Sequence, residues 1–228
     1  MIHQFILAAP KPGMTTEEFQ SYWVNVHAVK FASRIPQIRR YLVDTRIEFD
    51  GDIGSPALPH QGIAEIWLDN EQEQLASLQT DEFIHGARAD EPNWAAFWLA
   101  IVLDTTTHEV LSDSRAAGGV KVTTLLKRRP GMSLVDYREA TLTEYAPVAS
   151  RLPGLRRYLH CHTRDGAYVF GEASFDSVEQ WWFDDVAALR TALRSTAHTE
   201  QVVPARARIV DSRYLFSLTT QENWIIGP

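Results

Sequence analysis

Cysteine is almost absent from this chain of 228 residues, which contains only Cys161. A single cysteine excludes a disulfide within the chain and a zinc or iron–sulfur site of the usual thiolate kind. The sequence also lacks a glycine-rich phosphate loop and a dinucleotide-binding fingerprint. We therefore expect no metal site and no organic cofactor.

Long apolar runs are missing as well. No stretch of the sequence approaches the roughly 20 residues that a membrane-spanning helix needs. The first residues, Met1 to Leu7, show no basic region ahead of an apolar run, which a secretory signal would require. We expect a cytoplasmic protein without a membrane partner.

Clustered positive charge is the third absence. The chain has 22 Lys and Arg against 29 Asp and Glu, so its formal net charge is −7. A nucleic-acid-binding surface would show clustered basic residues, so we expect no nucleic-acid partner. Hydrophobic residues make up 45% of the chain, close to the globular average, which allows a sizeable core.

Short motifs recur in the same order in the two halves of the chain. The segment that starts at Lys11 (Lys-Pro-Gly-Met-Thr) returns at Arg129 as Arg-Pro-Gly-Met-Ser. Further matches join residues 33–42 to 150–159, and Glu65, Asp69 and Asp104 to Glu172, Asp176 and Asp211. A period near 110 residues is the length of a small domain. We therefore predict two copies of one domain, at 1–115 and 116–228, joined by a linker at 111–119.

The first copy has the pattern of a β-α-β-β-α-β unit. A helix begins at Thr15, where Glu18 stands at the capping-box spacing, and ends before Pro36. Alternating or continuous apolar residues predict strands, and Asp69-Asn70 predicts the start of the second helical region. The predicted strands are 2–8, 38–46, 63–68 and 98–110, with helix at 15–35 and 70–89.

The second copy gives the same order. Its predicted strands are 120–127, 155–162, 168–175 and 207–218, and its predicted helices are 133–150 and 176–194. A tight turn is expected at Arg164-Asp165-Gly166, where the first copy has a long loop. The tail at 219–228 is expected to pack on the body of the protein.

Sheet packing explains why two copies occur together. A β-α-β-β-α-β unit covers one face of its sheet with helices and leaves the other face bare. We therefore predict an α+β fold in which two ferredoxin-like units pack sheet to sheet as an α/β barrel. A cavity enclosed in this way suits a small hydrophobic or aromatic ligand.

The first half resembles an EthD domain. The landmarks that carry the resemblance are Lys11-Pro12-Gly13-Met14, Phe19, Tyr22-Trp23, His27-Ala28, Ile35-Pro36, Arg39-Arg40-Tyr41, Gly62 to Trp67 and Ala89-Asp90-Glu91. The second half looks like a diverged copy that keeps Pro130-Gly131-Met132, Leu152 to Tyr158 and Gly171-Glu172.

The resemblance implies membership of the dimeric α/β-barrel superfamily. Such proteins are usually homodimers, so a tandem chain is expected to be a monomer with an intramolecular barrel or a homodimer of that barrel. Relatives act without cofactors as dehydratases, decarboxylases, cyclases or oxygenases in the degradation or synthesis of aromatic and polyketide compounds.

His27 is the first catalytic candidate. Histidine takes and gives a proton near neutral pH, and His27 lies one helical turn after Trp23. The resemblance places a histidine at this position, whereas the second copy has Glu144-Tyr145 there. The alternative is a structural histidine that bonds a backbone group.

Asp90 and Glu91 are the second candidates. A carboxylate can orient His27 or act as a base itself. Counting 107 positions onward, the second copy has Ala197 and His198, so the acidic pair is not needed to build the unit. The alternative is a salt bridge at the end of a helix. Tyr22 completes the predicted catalytic set as a hydrogen-bond donor.

Aromatic side chains are predicted to line the substrate pocket. The four we assign to substrate binding are Trp23, Trp67, Trp94 and Trp98; packing in the core is the alternative. His160 and His162 alternate along a strand and share a face, but no third metal ligand is evident nearby. We therefore predict no metal site.

These residues favour an enzyme that works without a cofactor on a small hydrophobic, aromatic or polyketide-like molecule. Dehydration, decarboxylation or ring closure needs only proton transfer in a shaped cavity, which predicts a lyase- or cyclase-type activity. Two alternatives stay open. One is a cofactor-free monooxygenase of the same fold, and the other is a non-catalytic binding or accessory protein.

Overall fold

The computed structural model of the chain describes residues 1–112 and 119–227. The chain forms two compact units. The first contains Met1–Arg46, Pro59–Thr105 and Glu222–Pro228, and the second contains Ile47–Leu58 and Thr106–Gln221. The predicted boundary between residues 115 and 116 lies outside the described residues, as does most of the predicted linker, and it stays a prediction.

The first copy of the repeat shows the predicted β-α-β-β-α-β order. Its strands and helices are β1 Ile2–Ala8, α1 Thr16–Tyr22, α2 Ala28–Lys30, β2 Arg40–Arg46, β3 Gly62–Leu68, α3 Glu71–Ser77, α4 Arg88–Asp90 and β4 Ile101–Leu111. Two π-helical segments, Trp23–His27 and Glu82–Ala87, link α1 to α2 and lead into α4.

The second copy repeats this order. Its strands and helices are β5 Val120–Arg128, α5 Leu134–Ala140, α6 Ala146–Ala149, β6 Arg157–Thr163, β7 Ser177–Phe183, α7 Val186–Arg194, α8 Val203–Ala207 and β8 Val210–Ile226. Its π-helical segments, Thr141–Tyr145 and Ala197–Val202, stand at the same places as those of the first copy.

The strands confirm the predicted fold class. In the first copy β1 lies between β3 and β4, and β2 pairs with β3. In the second copy β5 lies between β7 and β8, and β6 pairs with β7. The strand order is β1-β3-β2-β8-β5-β7-β6-β4, and the sheet closes into a barrel.

The first helix begins as its sequence predicts. The Thr15 side chain accepts a hydrogen bond from the Glu18 amide at 3.2 Å, and the Glu18 carboxylate accepts one from the Thr15 amide at 2.9 Å. This reciprocal pair satisfies backbone donors that the first helical turn leaves open. The turn before the helix is also repeated, since Gly13 and Gly131 have φ values of +88° and +82°, where other residues would be strained.

The elements predicted for residues 164–194 are wrong in part. The predicted strand at 168–175 and the tight turn before it are instead a loop with a short 3₁₀ helix, Asp165–Tyr168. The strand lies later, at Ser177–Phe183, and the helix begins only at Val186, capped by Asp185. Every residue of this strand is buried, so it lacks the polar–apolar alternation that identifies a half-buried strand.

This shift also corrects the pairing of the two copies. Strand β3 starts at Gly62 and β7 starts at Ser177, so the copies are 115 residues apart in this region, not 107. Asn70 and Asp185, which cap equivalent helices, obey the same spacing. The matches of Glu65 to Glu172, Asp69 to Asp176 and Asp104 to Asp211 are therefore wrong. By the same spacing, the counterparts of Asp90 and Glu91 are Ala205 and Arg206, not Ala197 and His198.

Each unit has its own core between its helices and one face of its strands. The first core is rich in aromatic side chains, with Phe19, Trp23, Tyr41 and Trp94 all buried. Ile225 and Ile226, at the end of β8, pack against it, as predicted for the tail. In the described chain, no helix is long and apolar enough to span a membrane.

Candidate active site

A buried pair of titratable side chains lies within the first unit. The Nδ1 atom of His27 is 2.9 Å from Oδ2 of Asp90, and both residues are less than a tenth exposed. The two come from separate helical segments, since His27 ends Trp23–His27 and Asp90 ends α4. Of the two predicted carboxylates, it is Asp90 that meets the histidine.

The π-helical segment brings Tyr22 to the same carboxylate. Its hydrogen bonds run from residue i to i+5, as in the bond from the Ala28 amide to the Trp23 carbonyl. Residues five apart therefore lie on one side of this segment, and Tyr22 and His27 both face Asp90. The Tyr22 hydroxyl donates to Oδ1 of Asp90 at 2.8 Å.

Asp90 therefore accepts three hydrogen bonds. Besides His27 and Tyr22, the side-chain amide of Asn93 donates to Oδ1 at 3.0 Å. Burial opposes ionisation of the carboxyl, but the bonds from Asn93, His27 and Tyr22 stabilise its charge and hold its pKa below the usual value. Asp90 is thus a carboxylate at neutral pH.

His27 is neutral beside it. Burial lowers the pKa of its imidazole, and the hydrogen bond and charge of Asp90 offset only part of that effect. The indole Nε1–H of Trp94 also points at Nδ1, at 3.2 Å, and would donate to it only if Nδ1 carried no hydrogen. A bond to a carboxylate is stronger than a neutral one, so we assign the hydrogen on Nδ1 to the Asp90 bond. This tautomer leaves Nε2 as an acceptor, and no group among the described residues hydrogen-bonds it.

Backbone hydrogen bonds hold the segment around Asp90 in place. The amide of Lys11 donates to the Trp94 carbonyl at 3.0 Å, and the amide of Ala96 donates to the Ala9 carbonyl at 2.9 Å. These bonds fix the segment that follows α4 against the end of β1. The carboxylate therefore belongs to a rigid frame and not to a loose helix end.

Glu91 has a different environment from its neighbour. Its nearest charged partner is Arg88, whose Nε lies 3.5 Å from Oε2 of Glu91. Burial raises the pKa of Glu91 to about 7, and the charge of Arg88 lowers it only partly. No hydrogen bond or ion pair joins Glu91 to His27 in the described chain. The predicted catalytic role of Glu91 stays a prediction.

A surface groove of about 560 Å³ lies beside Tyr22 and Asn93, whose hydroxyl and amide groups donate hydrogen bonds to Asp90. Tyr22 and Asn93 belong to its wall, so the same side chains contact the groove and hold the carboxylate. The rest of the lining comes from the repeated turn and the first helix: Lys11, Pro12, Gly13, Met14, Glu18, Ser21, Asn25 and Val26.

The four tryptophans predicted to bind substrate do not come together. Trp23 and Trp94 are buried in the core, with ring centroids 4.8 Å apart, and the Trp23 indole donates to the Tyr41 hydroxyl at 3.2 Å. Trp98 is exposed on the surface. Trp67 lies on the opposite face of β3 from Ala64 and Ile66, which pack against the helices. Their role in substrate binding stays a prediction.

A second buried pair was not anticipated. Nε2 of His3 lies 2.7 Å from Oε2 of Glu65, and both side chains are almost fully buried. The rings of His3 and Trp67 stack at 4.2 Å. The strand register brings these residues together, because His3 pairs with Trp67 and Phe5 pairs with Glu65. The pair could be predicted only from the register of β1 against β3, and the sequence analysis does not predict that register.

The second unit has no copy of the His27–Asp90 pair. The counterpart of His27 is Tyr145, the last residue of Thr141–Tyr145, and the counterpart of Asp90 is Ala205. The paired histidines of β6 do share one face, with His160 and His162 ring centroids 5.0 Å apart. Among the described residues, no group of three or more His, Cys, Asp or Glu side chains is arranged to hold a metal ion.

Comparison with known proteins places both copies in one family. The sequence profile described as the EthD domain matches residues 11–97 and again residues 129–213. No curated protein matches the chain.

Solved structures share the fold at low sequence identity. An anthrone oxidase-like protein is 12% identical with a TM-score of 0.65, covering 98% of this chain and 92% of its own. A proposed monooxygenase from Fusobacterium nucleatum is 9% identical with a TM-score of 0.62, covering 98% and 93%. A variant of chlorite dismutase from Candidatus Nitrospira defluvii is 8% identical with a TM-score of 0.51, covering 96% and 91%.

Proposed function

Because the chain belongs to the EthD domain family and carries two copies of the domain, we propose that it is an enzyme that acts by proton transfer without a cofactor. Its substrate is a small hydrophobic molecule of aromatic or polyketide-like character. The observation that carries the proposal is the buried pair of His27 and Asp90 beside the groove, joined to it through Tyr22 and Asn93.

The base in this proposal is Nε2 of His27. A neutral imidazole whose Nδ1 donates to a carboxylate has its remaining lone pair on Nε2. His27 does not itself line the groove, so in this proposal the reacting part of the substrate passes Tyr22 and Asn93 to reach it. Nε2 then takes a proton from a carbon next to a carbonyl group, or from a phenolic hydroxyl, of that substrate. The same atom then returns the proton to a leaving hydroxyl in dehydration, or to a carbon in decarboxylation or ring closure.

Asp90 supports this transfer without exchanging a proton with substrate. When Nε2 takes a proton, the imidazolium ion gains the full attraction of the carboxylate 2.9 Å away. The donors Tyr22 and Asn93 keep Asp90 ionised and aimed at Nδ1. In this proposal Tyr22 is a positioning residue that also presents its ring to the groove.

The groove fits an amphipathic ligand. Pro12, Met14 and Val26 offer apolar contacts, while Lys11 and Asn25 offer donors for a carbonyl or carboxylate oxygen of the substrate. An aromatic acid or a polyketide with several carbonyl groups has both features. Proton loss from such a molecule gives an enolate or phenolate whose charge the donors can stabilise.

A cofactor-free monooxygenase is the second candidate. It is favoured by the names of two structural neighbours, one anthrone oxidase-like and one a proposed monooxygenase. The chemistry begins with the same step, because a substrate anion made by His27 can pass electrons directly to molecular oxygen. The two candidates therefore differ in their need for oxygen and not in the base.

The test is a ligand screen followed by product analysis. Phenols, anthrones, aromatic acids and lactones are first screened by thermal shift, where a ligand at about 100 times its dissociation constant adds roughly 2.7 kcal/mol to the unfolding free energy. Each ligand found is then incubated with the protein in air and under nitrogen.

Each outcome decides between the candidates. Consumption under nitrogen supports proton-transfer catalysis, and consumption only in air supports the monooxygenase. A ligand that binds and is recovered unchanged under both conditions would show a binding protein and overturn the proposal. The variant His85→Ala, at an exposed histidine, serves as control and must give the same result as the unchanged protein.

A further inference from the structure

Two groups compete for one nitrogen atom of His27. Nδ1 lies 2.9 Å from Oδ2 of Asp90 and 3.2 Å from the indole Nε1 of Trp94. The carboxylate accepts a hydrogen bond, so it favours the tautomer that carries its hydrogen on Nδ1. The indole N–H only donates, so it favours the tautomer that carries its hydrogen on Nε2 and leaves Nδ1 bare. The two contacts therefore cannot both be hydrogen bonds at the same time.

The indole of Trp94 has no alternative acceptor. Trp94 is 1% exposed, and among the described residues its Nε1 atom makes the contact with His27 and no other hydrogen bond. When the imidazole hydrogen is on Nδ1, the indole N–H faces another N–H and lacks a partner. A buried donor without a partner destabilises the state in which it occurs. The contact with Trp94 therefore acts against the tautomer that the Asp90 bond selects.

Core packing prevents the indole from turning away. Its ring centroid lies 4.6 Å from that of His27, 4.8 Å from that of Trp23 and 5.4 Å from that of Phe19. The backbone of Trp94 is fixed as well, since its amide donates to the Glu91 carbonyl at 3.2 Å. Rotation of the ring would displace its aromatic neighbours in a close-packed core. The N–H group therefore stays directed at Nδ1.

The fold itself does not require an indole at this position. By the spacing of 115 residues, the counterpart of Trp94 is Ile209, which packs in the core of the second unit. The backbone bonds agree, because Lys11 donates to the Trp94 carbonyl and Arg129 donates to the Ile209 carbonyl. An aliphatic side chain thus builds the same architecture in the unit that has no counterpart of His27. The indole N–H accompanies the histidine and not the fold.

We propose that Trp94 is a positioning residue of this site, which competes with Asp90 for Nδ1 of His27 and keeps the Nε2–H tautomer populated beside the Nδ1–H tautomer. The bond to the carboxylate is charge-assisted and stronger than a neutral bond, so the Nδ1–H tautomer is the major one. The bond from Trp94 offsets part of that difference. The Nε2–H tautomer is a measurable minor form for that reason.

The tautomer decides what His27 offers to a molecule bound beside it. In the Nδ1–H form, Nε2 has a lone pair that takes a proton. In the Nε2–H form, the same atom donates a hydrogen bond to a carbonyl or phenolate oxygen, the role in which a neutral imidazole polarises a carbonyl group. These two roles rest on the proposed function, whereas the tautomer equilibrium itself is a property of the free protein.

The test measures the tautomer by ¹⁵N NMR of the histidine rings and needs no substrate. The nitrogen that carries hydrogen and the bare nitrogen give well-separated signals, and the signals of His27 are those missing from His27→Gln. Spectra are recorded at about pH 8, where the imidazole is neutral because burial lowers its pKa. In Trp94→Phe, the ratio of Nε2–H to Nδ1–H should fall by about three- to tenfold, as expected for the loss of one neutral hydrogen bond.

Asp90→Asn provides the opposite limit. Tyr22 and Asn93 both donate to Oδ1 of Asp90, so in this variant the amide oxygen should stay with them. The amide nitrogen then takes the place of Oδ2 and donates to Nδ1 of His27, which fixes the Nε2–H tautomer. The ratio in the unchanged protein should lie between those of Asp90→Asn and Trp94→Phe.

Trp98→Phe is the matched control. Trp98 is 73% exposed and makes no hydrogen bond to His27 in the described chain, so this variant should leave the tautomer ratio unchanged. Circular dichroism and thermal unfolding check the fold of Trp94→Phe, in which a smaller ring replaces a buried indole. If that variant does not fold, the unchanged protein decides by itself, because its His27 signals must lie between those of the two pure tautomers.

Two results overturn the role of Trp94. One is a His27 ring that is wholly in the Nδ1–H form in the unchanged protein. The other is a ratio of Nε2–H to Nδ1–H that stays the same or rises in Trp94→Phe. Neither depends on a substrate, so a failed ligand screen would contradict the proposed function and leave the competition for Nδ1 in place.

Discussion

His27 and Tyr145 occupy the same place in the two copies of the domain, since each is the last residue of a five-residue π-helical segment. The histidine ring bonds the Asp90 carboxylate of a neighbouring helical segment at 2.9 Å. The tyrosine hydroxyl donates instead to Glu179 on strand β7, at 3.1 Å. Equivalent positions in the two units thus hold different side chains, and each bonds a different buried carboxyl group. The chemistry of the two units differs for that reason.

Replacement of His27 by glutamine should remove the proposed base. We expect turnover of a substrate found in the screen to fall by about 10²–10⁴, the usual contribution of acid–base catalysis. Circular dichroism should show a folded protein, because glutamine still offers a donor to Asp90. His85→Gln is the control, since the side chain of His85 is exposed. A loss of turnover of less than tenfold in His27→Gln would contradict the proposed role of His27 as the base.

The variant Asp90→Asn should change the titration of His27. The hydrogen bond and charge of Asp90 both raise the pKa of the imidazole, against the larger effect of burial. Removing the charge should therefore move the His27 pKa further below its usual value, which the ring proton shifts in an NMR titration will show. Glu91→Gln is the control and should leave the titration in place. A rise of the His27 pKa in Asp90→Asn would contradict the assigned pair.

Tyr22→Phe should weaken the support of Asp90. The lost bond is 2.8 Å long and runs to a carboxylate, so we expect the unfolding free energy to fall by about 1.5–3 kcal/mol. The pKa of Asp90 should rise, because the Tyr22 bond is one of the contacts that lower it. Urea unfolding and an NMR titration of the Asp90 carboxyl measure the two effects. Tyr214→Phe, at an exposed tyrosine, should change neither.

His162 should make the protein sensitive to acid. Burial, with the nearby charges of His108 and Arg138, lowers the pKa of the folded state to about 3, whereas the unfolded chain has a histidine pKa of about 6.5. Between these values only the unfolded chain binds the proton. Stability is therefore lost as the pH falls below about 6.5, by up to about 1.4 kcal/mol per pH unit for this group.

The corresponding test replaces His162 by glutamine. The plot of unfolding free energy against pH should then be flatter between pH 4 and 6, by the equivalent of one bound proton. Urea unfolding at several pH values provides this plot. The same substitution at exposed His85 should leave the slope unchanged, and an equal slope in His162→Gln would contradict the assignment.

Gly62→Ala should destabilise the first unit. An added Cβ would lie 2.7 Å from the backbone oxygen of Asp44 and 2.8 Å from the Trp23 ring. Overpacking of this kind costs about 1–3 kcal/mol, because the strand and the buried indole must both shift. Gly166→Ala is the control, since in the described chain no atom lies within 4 Å of its added Cβ. Thermal unfolding that gives equal midpoints for the two variants would refute the close approach.

Local signals in the sequence predicted the elements of the first copy well. The capping box of Thr15 and Glu18 and the cap at Asn70 are present as predicted, because they depend only on residues three positions apart. The error at 168–175 arose where such signals are weak. A fully buried strand, Ser177–Phe183, has no alternation, and its two tryptophans fit a helix as readily as a strand.

The sequence predicts the residues of the candidate site but not the contacts among them. His27, Asp90, Glu91 and Tyr22 were identified together, but nothing in the sequence said which carboxylate would reach the histidine. The choice of Asp90 depends on the rotation of α4 about its own axis and on a π-helical segment that turns Tyr22 and His27 to the same side. Asn93, the third donor to Asp90, had no sequence signal at all.

The sequence by itself determined the repeat, the order of strands and helices in each copy and the family to which both copies belong. These properties depend on local patterns that recur along the chain, so they can be read without contacts between distant residues. Tertiary structure alone decided the partners of the buried groups, including the bonds of His27 to Asp90 and of Tyr145 to Glu179. Those partners are 63 and 34 positions apart, and only strand register and helix packing bring them within hydrogen-bond distance.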